Sequence, residues 1–196
     1  SASNTGLSHG NISSLAIAPA TPTPLYLGTG GGVFKSTDGG LHWIDVNSNL
    51  TDDSHVVSLV IDPAKPATIY MVTRDGVFKS ADGAGNWSAV NTGLESGLND
   101  FEVSSLAIDS LTPESLYAVT KGGLYKSADG GVSWSSANTG LTATEISTLA
   151  FAPATPGSLY AAAQNGVFKS TDGGANWSEA NWSGETTDLS HVYINA

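Results

Sequence analysis

Acidic side chains and a single arginine are the residues of this sequence best suited to chemistry. Asp53, Arg74, Asp75 and Asp100 lie in short polar stretches between apolar runs. Two carboxyl groups at a suitable separation can hydrolyse a glycoside, one as the acid and the other as base or nucleophile. The alternative is a solvated acidic rim. The sequence favours the rim, because charged side chains are mostly exposed and no long loop is present to build a sugar cleft.

Other catalytic and metal-binding chemistries have little support. The sequence has no cysteine, which removes disulfides, thiolate metal sites and a cysteine nucleophile. Its four histidines, His9, His42, His55 and His191, show no spacing typical of metal ligands. The recurring Asp-Gly-Gly sequence resembles part of a calcium loop, but each copy supplies only one carboxylate. We therefore expect neither a metal nor a cofactor.

The charge of the chain restricts its partners. The 196 residues carry a formal net charge of −11, which argues against nucleic acid and anionic membrane as partners. No apolar run is long enough to span a bilayer, so we expect no membrane insertion. The sequence begins at Ser1 without a charged and apolar leader, which is typical of a mature or excised segment. Its Ser, Thr, Asn and Gly content predicts an extracellular or periplasmic protein.

A short motif recurs four times at intervals of about 45 residues, a period typical of repeat architectures. Its pattern is Ser-x-Asp-x-Gly-x-x-Trp, and its members are Ser36, Asp38, Gly40 and Trp43; Ser80, Asp82 and Trp87; Ser127, Asp129, Gly131 and Trp134; and Ser170, Asp172, Gly174 and Trp177. The second copy has Ala84 in place of the glycine. We interpret each copy as a tight turn between two strands. The Asp side chain can accept hydrogen bonds from the turn, the glycines allow a positive φ, and the Trp can fold back as an apolar anchor.

This motif resembles the Asp-box (BNR) repeat of sialidases, sortilin-type receptors, xyloglucanases and photosystem II assembly factors. The resemblance covers nearly the whole chain, and it implies a β-propeller in which each box joins the third and fourth strands of a blade. It also implies that the boxes lie at the periphery and serve as scaffold rather than as active site. Sialidases need an arginine cluster to clamp a carboxylate, so the single Arg74 argues against that activity.

Each repeat carries the pattern of four short strands. Apolar runs predict first strands at 12–18, 56–62, 103–109 and 146–152, and second strands at 25–29, 69–73, 116–120 and 159–163. The third strand ends at the box, and the fourth runs from the Trp to near Asn47, Asn91, Asn138 or Asn181. A lysine precedes every box, at Lys35, Lys79, Lys126 and Lys169. We expect each lysine to cover an aromatic ring of its own repeat and to pair with a nearby carboxylate.

These patterns predict an all-β fold, a single β-propeller domain over residues 1–196 with four four-stranded blades. The repeat units span approximately 8–50, 51–97, 98–141 and 142–184, and residues 189–196 form an extra C-terminal strand. Four units could form a small ring, half of a ring or an open arc. The extra strand needs a ladder partner, so we expect it to join the chain to a second copy or to the rest of a parent protein. The candidate assembly residues are Trp182, His191, Val192, Tyr193 and Ile194, although Trp182 could instead be a sugar-stacking platform.

One face of the predicted propeller collects polar residues that could bind a ligand. Strand alternation places the loops between blades, and the turns between second and third strands, on this face. The candidate residues are Asp53, His55, Arg74, Asp75, Asp100 and Lys121. We interpret the protein as a non-enzymatic, extracellular structural or binding module that associates with itself or with the remainder of a parent protein. The alternative is a propeller fragment that binds or hydrolyses a glycan on this face.

Overall fold

The computed structural model describes residues 4–8, 10–50, 54–94, 103–142, 145–152 and 155–180. Within these ranges the chain forms sixteen strands and no helix. The strands make four antiparallel sheets of four strands each, and in every sheet they pair in chain order. The predicted all-β fold with four four-stranded blades is therefore confirmed.

The strands have nearly the same lengths in every blade. Blade 1 contains β1 (Ile12–Ile17), β2 (Leu25–Thr29), β3 (Gly32–Ser36) and β4 (Ile44–Asp45). Blade 2 contains β5 (Val56–Ile61), β6 (Ile69–Thr73), β7 (Gly76–Ser80) and β8 (Ser88–Ala89). Blade 3 contains β9 (Val103–Ile108), β10 (Leu116–Thr120), β11 (Gly123–Ser127) and β12 (Ser135–Ser136). Blade 4 contains β13 (Ile146–Phe151), β14 (Leu159–Ala163), β15 (Gly166–Ser170) and β16 (Ser178–Glu179).

The fourth strands are shorter than predicted, with two residues each. The ladder stops because an asparagine side chain takes the place of the next backbone partner: Asn47 Oδ1 accepts the Val33 N–H at 2.6 Å. Asn91 and Asn138 make the equivalent contact in blades 2 and 3. Gly32 leaves room for this amide, since a Cβ at that position would lie 2.3 Å from Asn47 Oδ1. The second strands have the predicted bounds, and the first strands end one residue earlier than predicted.

Successive blades pack face to face, and we call each of these contacts a blade joint. β1 packs against β5, β5 against β9, and β10 against β13. In the first joint, Tyr26 and Val33 of blade 1 form one apolar cluster with Val56, Leu59 and Trp87 of blade 2. Equivalent clusters fill the joints between blades 2 and 3 and between blades 3 and 4. Since removing apolar surface from water is the main favourable term in folding, the joints hold the blades together.

Several predicted features lie outside the described residues. They are Asp53 and Asp100 of the candidate ligand face, the predicted strand at 189–196, and the assembly residues Trp182, His191, Val192, Tyr193 and Ile194. The predicted limits of the repeat units remain predictions.

Candidate functional site

Each Asp box is a turn closed by its own serine and aspartate. In the third box, Asp129 Oδ1 accepts the Ser133 N–H at 2.9 Å and the Ser127 hydroxyl at 2.7 Å. The Ser127 oxygen in turn accepts the Gly131 N–H at 2.9 Å. The same contacts occur in the other boxes, around Ser36, Asp38 and Gly40; Ser80, Asp82 and Ala84; and Ser170, Asp172 and Gly174. Ala84 takes up a left-handed φ of 70°, so the alanine keeps the turn that glycine forms elsewhere.

The box aspartates are held in the ionised form. Hydrogen bonds from the side chain and backbone of Asn86 lower the pKa of Asp82 to about 2. The residue four positions further along has the same effect in the other boxes, lowering the pKa to about 2 for Asp38 through His42, Asp129 through Ser133 and Asp172 through Asn176. A carboxyl group with so low a pKa is a poor general acid near neutral pH. The box aspartates therefore stabilise the turns through hydrogen bonds and are unsuited to acid catalysis.

The blade joints contain a polar contact that the sequence did not predict. Tyr70 Oη and Lys79 Nζ of blade 2 both donate to the Gly130 carbonyl oxygen in the box of blade 3, at 3.0 and 2.9 Å. Lys79 Nζ also lies 5.3 Å from the centroid of the Tyr70 ring. The flanking joints repeat this arrangement, with Tyr26 and Lys35 on Gly83, and Tyr117 and Lys126 on Gly173. Lys35, Lys79 and Lys126 thus cover a ring of their own blade, but their hydrogen-bond partner is a carbonyl of the next blade instead of the expected carboxylate.

The box tryptophans connect each blade to the one before it. Trp134 Nε1 donates to the Val90 carbonyl oxygen at 2.8 Å, and the Trp134 backbone N–H donates to the Thr92 carbonyl oxygen at 2.8 Å. Trp87 and Trp177 make the first of these contacts with Val46 and Ala137. In blade 1 the Trp43 backbone N–H donates to the Thr5 carbonyl oxygen at 2.9 Å. The boxes of blades 2, 3 and 4 therefore hold each blade to the preceding one as well as closing a turn.

The loop face is formed by the turns between second and third strands and by the starts of the first strands. Its turns differ from blade to blade: Gly30 and Gly31, Arg74 and Asp75, Lys121 and Gly122, and Gln164 and Asn165. The turn residues of blades 2, 3 and 4 are exposed. His55 directly precedes β5 and adjoins the turn of blade 1, since a Cβ at Gly30 would lie 3.6 Å from His55 Nδ1. The structure thus places His55, Arg74, Asp75 and Lys121 at the same end of the blades.

Threonines at the ends of the second strands hold these turns. The Thr73 hydroxyl oxygen accepts the Asp75 N–H at 3.1 Å, and its hydroxyl group lies 3.5 Å from the Gly76 carbonyl oxygen. Thr29 and Thr120 support the turns of blades 1 and 3 in the same manner. Neither Arg74 nor Asp75 forms an ion pair with any other residue that the structure describes. A fixed turn backbone therefore carries two exposed side chains of opposite charge.

A groove lies at the opposite end of the blades, and its carboxylate Asp62 is already engaged by the local backbone. It has a volume of about 270 Å³ and is lined by Asp62, Ala64, Lys65, Thr112, Pro113 and Glu114. Asp62 Oδ1 accepts the Ala64 and Lys65 N–H groups at 2.8 and 3.0 Å. In the part of the chain that the structure describes, no three His, Cys, Asp or Glu side chains converge as metal ligands would. The same ranges contain no helix of the length and apolarity needed to cross a membrane.

Comparison with known proteins supports the propeller architecture. The model of the DUF6242 beta propeller domain matches residues 102–191, which is less than half of the chain. No curated protein matches significantly. An ancestral GH74 enzyme is 22% identical, with a TM-score of 0.71 over 93% of this chain and 25% of its own.

Two further solved structures have the same fold. The GH74 xyloglucanase from Xanthomonas campestris is 20% identical, with a TM-score of 0.64 over 84% of this chain and 29% of its own. The extracellular domain of BT4673 from B. thetaiotaomicron is 17% identical, with a TM-score of 0.68 over 91% of this chain and 24% of its own. The chain thus spans only about a quarter of the length of these proteins. The fold is a β-propeller, and the predicted resemblance to Asp-box propellers is confirmed.

Proposed function

We propose that the protein is a non-enzymatic binding module of an extracellular protein, with its ligand contacts on the loop face. The observation that carries this proposal is the contrast between the four repeats. The residues of the boxes and joints recur in each blade, whereas the turn residues on the loop face change from Arg74 and Asp75 to Lys121 and Gly122. Variable side chains on a rigid repeated scaffold are the usual arrangement of a binding surface.

The use of the carboxylates supports a role without catalysis. The four box aspartates are committed to turns, and Asp62 and Asp109 accept N–H groups of the proline-containing turns. The described loop face includes Asp75, whose neighbour in the β6–β7 turn is the cation Arg74, and the exposed Glu145, which directly precedes β13 and adjoins the turn of blade 4. The structure shows no pairing of these two carboxylates. Glycoside hydrolysis needs two carboxyl groups flanking the scissile bond.

Location and partners are part of the same proposal. The similar BT4673 structure is an extracellular domain, and the acidic surface expected from a net charge of −11 suits a domain outside the cell. We expect the partners to be a ligand on the loop face together with further propeller blades, from a second copy or from a parent protein. The terminal strand at 189–196 with Trp182 remains the predicted route to such a partner.

A glycan ligand is the second candidate, and it would allow hydrolysis. The observation that favours it is the likeness to two GH74 enzymes, one of them a xyloglucanase. Because the chain spans only about a quarter of those proteins, this second candidate is primarily glycan binding, and glycan cleavage is its less favoured form.

The experiment combines a glycan array with an assay for released reducing sugar on xyloglucan and related polysaccharides. The double variant Arg74→Ala/Asp75→Ala removes the exposed pair on the loop face. The matched control is Lys65→Ala/Glu114→Ala, an exposed pair at the opposite end whose charged atoms lie 3.8 Å apart. We expect any bound ligand to be lost in the first variant and retained in the control, with no sugar released and no sialic acid freed from a standard substrate. Release of sugar would refute the non-enzymatic role, and binding lost only in the control would refute the assignment to the loop face.

A further inference from the structure

The first strand of blade 1 has an uncovered apolar face. Ile12, Leu15 and Ile17 are 53%, 57% and 61% exposed. The residues equivalent to Ile12 and Leu15 in blade 2 are Val56 and Leu59, which are 0% and 6% exposed. The difference arises because blade 1 covers those residues of blade 2, whereas the described residues include no blade that covers the corresponding face of blade 1. Three large apolar side chains in a row on one strand are an unusual exposed patch.

The three internal joints show which surface covers this face. In each of them the preceding blade supplies a tyrosine and a lysine, whose Oη and Nζ atoms donate to the carbonyl oxygen of the glycine that directly follows the box aspartate. These glycines are Gly83, Gly130 and Gly173. The same blade supplies an aliphatic residue at the start of its third strand. These aliphatic residues, Val33, Val77 and Leu124, are 0% exposed. A blade that covers the next one thus presents three groups, a tyrosine hydroxyl, a lysine ammonium and an aliphatic side chain, which we call the joint signature.

Blade 4 carries that joint signature, and no described residue accepts a hydrogen bond from it. Tyr160 and Lys169 occupy the positions of the tyrosine and lysine, with Lys169 Nζ 5.6 Å from the centroid of the Tyr160 ring. Among the described residues neither Tyr160 nor Lys169 donates a side-chain hydrogen bond. Tyr160 and Val167 are half-buried, whereas their equivalents in the other three blades are at most 2% exposed. Blade 4 therefore has the two donors of a joint, and the described part of the chain offers them no acceptor.

Blade 1 has the matching acceptor. Gly39 is the equivalent of Gly130, and within the described ranges no tyrosine or lysine side chain reaches its carbonyl oxygen. Gly39 is exposed, whereas Gly130 is buried and Gly83 and Gly173 are half-buried. Blade 4 and blade 1 are consequently complementary in both polar groups and apolar surface, in the same way as the two sides of every internal joint.

We propose that blade 4 of one molecule packs on blade 1 of a second copy and forms a fourth joint of the same kind. Tyr160 Oη and Lys169 Nζ donate to the carbonyl oxygen of Gly39 in the second copy, and Tyr160 and Val167 cover Leu15 and Ile17 there. The joint is head-to-tail, so it produces a closed ring or an open chain according to the rotation between copies. It uses a different surface from the loop face, and it does not depend on a ligand there.

Sedimentation velocity of the 196-residue chain at micromolar concentrations tests the joint. We expect association of the natural chain, weakened about tenfold or more by Tyr160→Phe/Lys169→Met, which removes both donors. Leu15→Glu places a charge on the apolar face and should abolish association. The control is Leu41→Glu on the same blade: Leu41 is 61% exposed, and its equivalent Val132 stays 65% exposed inside the protein, so this position lies outside a joint. Circular dichroism checks that each variant is folded.

A mixing experiment tests the head-to-tail direction. The Leu15→Glu chain retains an intact blade 4, and the Tyr160→Phe/Lys169→Met chain retains an intact blade 1. An equimolar mixture should therefore form heterodimers of one chain of each kind. A natural chain that remains monomeric would overturn the proposal and leave a blade of a longer polypeptide as the cover of blade 1. The proposal is equally wrong if Leu41→Glu disrupts assembly as strongly as Leu15→Glu, or if deletion of residues 189–196 abolishes it while the Tyr160 and Lys169 variant does not.

Discussion

Replacing Trp134 with alanine tests whether the Asp box is a joint between blades as well as a turn. The Trp134 side chain is 5% exposed and belongs to the apolar cluster between blades 2 and 3. Its indole N–H donates to the Val90 carbonyl oxygen of the preceding blade at 2.8 Å. Trp134→Ala removes both the apolar contact and the hydrogen bond while leaving the backbone of the turn unchanged.

The expected loss of stability follows from these two contributions. Truncation of a buried tryptophan to alanine costs about 3–5 kcal/mol, because the transfer free energy is lost and a cavity remains. Trp134→Phe keeps most of the apolar contact and removes the donor to Val90, so it should cost about 1–2 kcal/mol. In a repeat protein a joint in the middle of the array couples the blades on both sides, and the loss should lower the free energy of unfolding of the whole array.

Urea unfolding followed by far-UV circular dichroism measures these values, since the chain has five tryptophans and its fluorescence would be ambiguous. The control is Val132→Ala in the same box, where the side chain is 65% exposed. We expect this variant to lie within about 0.5 kcal/mol of the natural protein. If Trp134→Ala is no more destabilising than Val132→Ala, the box does not hold the joint and our account of it is wrong.

Four other outcomes are expected from the same contacts. Asp129→Ala should lower the free energy of unfolding in urea by about 1 kcal/mol, because water can replace some of the hydrogen bonds that the exposed carboxylate makes with the turn. A loss larger than that of Trp134→Ala would contradict our view that the tryptophan contributes more than the aspartate. The pKa of Asp129 is lowered from 3.8 to about 2, so its contribution to stability is present above pH 3.8 and is lost as the pH falls toward 2. Urea unfolding midpoints should therefore decline across that pH interval. A flat profile would count against the hydrogen bonds from Ser133 and Ser127 as the cause. Burial raises the pKa of Tyr117 from 10.0 to about 12, so stability is present below pH 10 and is lost as the pH rises toward 12, and Tyr117→Phe should flatten that decline; an unchanged alkaline profile would exclude Tyr117 as its source. Asn91→Ala leaves the Val77 N–H without the acceptor that now lies at 2.7 Å, which should cost about 1–3 kcal/mol by thermal or urea unfolding, and a neutral effect would mean that another group replaces the amide.

Much of the fold could be predicted from the sequence because its signals are local. The bounds of the second strands followed from short apolar runs, and the recurrence of the box at a fixed period gave the number of blades. The turn contacts of each box join residues no more than four positions apart, such as Asp129 and Ser133. Hydrogen bonds of this range depend on residue type and spacing, which a sequence displays directly.

The fourth strands show where this local reasoning failed. Alternation and length suggested strands that continued to Asn47 and its equivalents, but the Asn47 side chain itself ends the ladder by binding Val33. An asparagine amide imitates a peptide group, and whether it does so in a given place depends on the backbone that faces it. The candidate ligand face was assigned by strand alternation, and the structure places its described members at one end of the blades. Neither Arg74 nor Asp75 forms an ion pair with another described residue.

The sequence by itself determined the repeated turns, the first and second strands and the number of blades, because each depends on contacts within one repeat. Only the tertiary structure decided what the repeated tyrosine and lysine do. Tyr70 and Lys79 bind the Gly130 carbonyl oxygen across 60 and 51 positions of sequence. It also decided that Leu15 is 57% exposed while Leu59, the same residue in the same repeat position, is 6% exposed. The physical reason is that both properties depend on which blade lies beside a given blade, and the shared pattern of the repeats does not indicate the neighbours of each one.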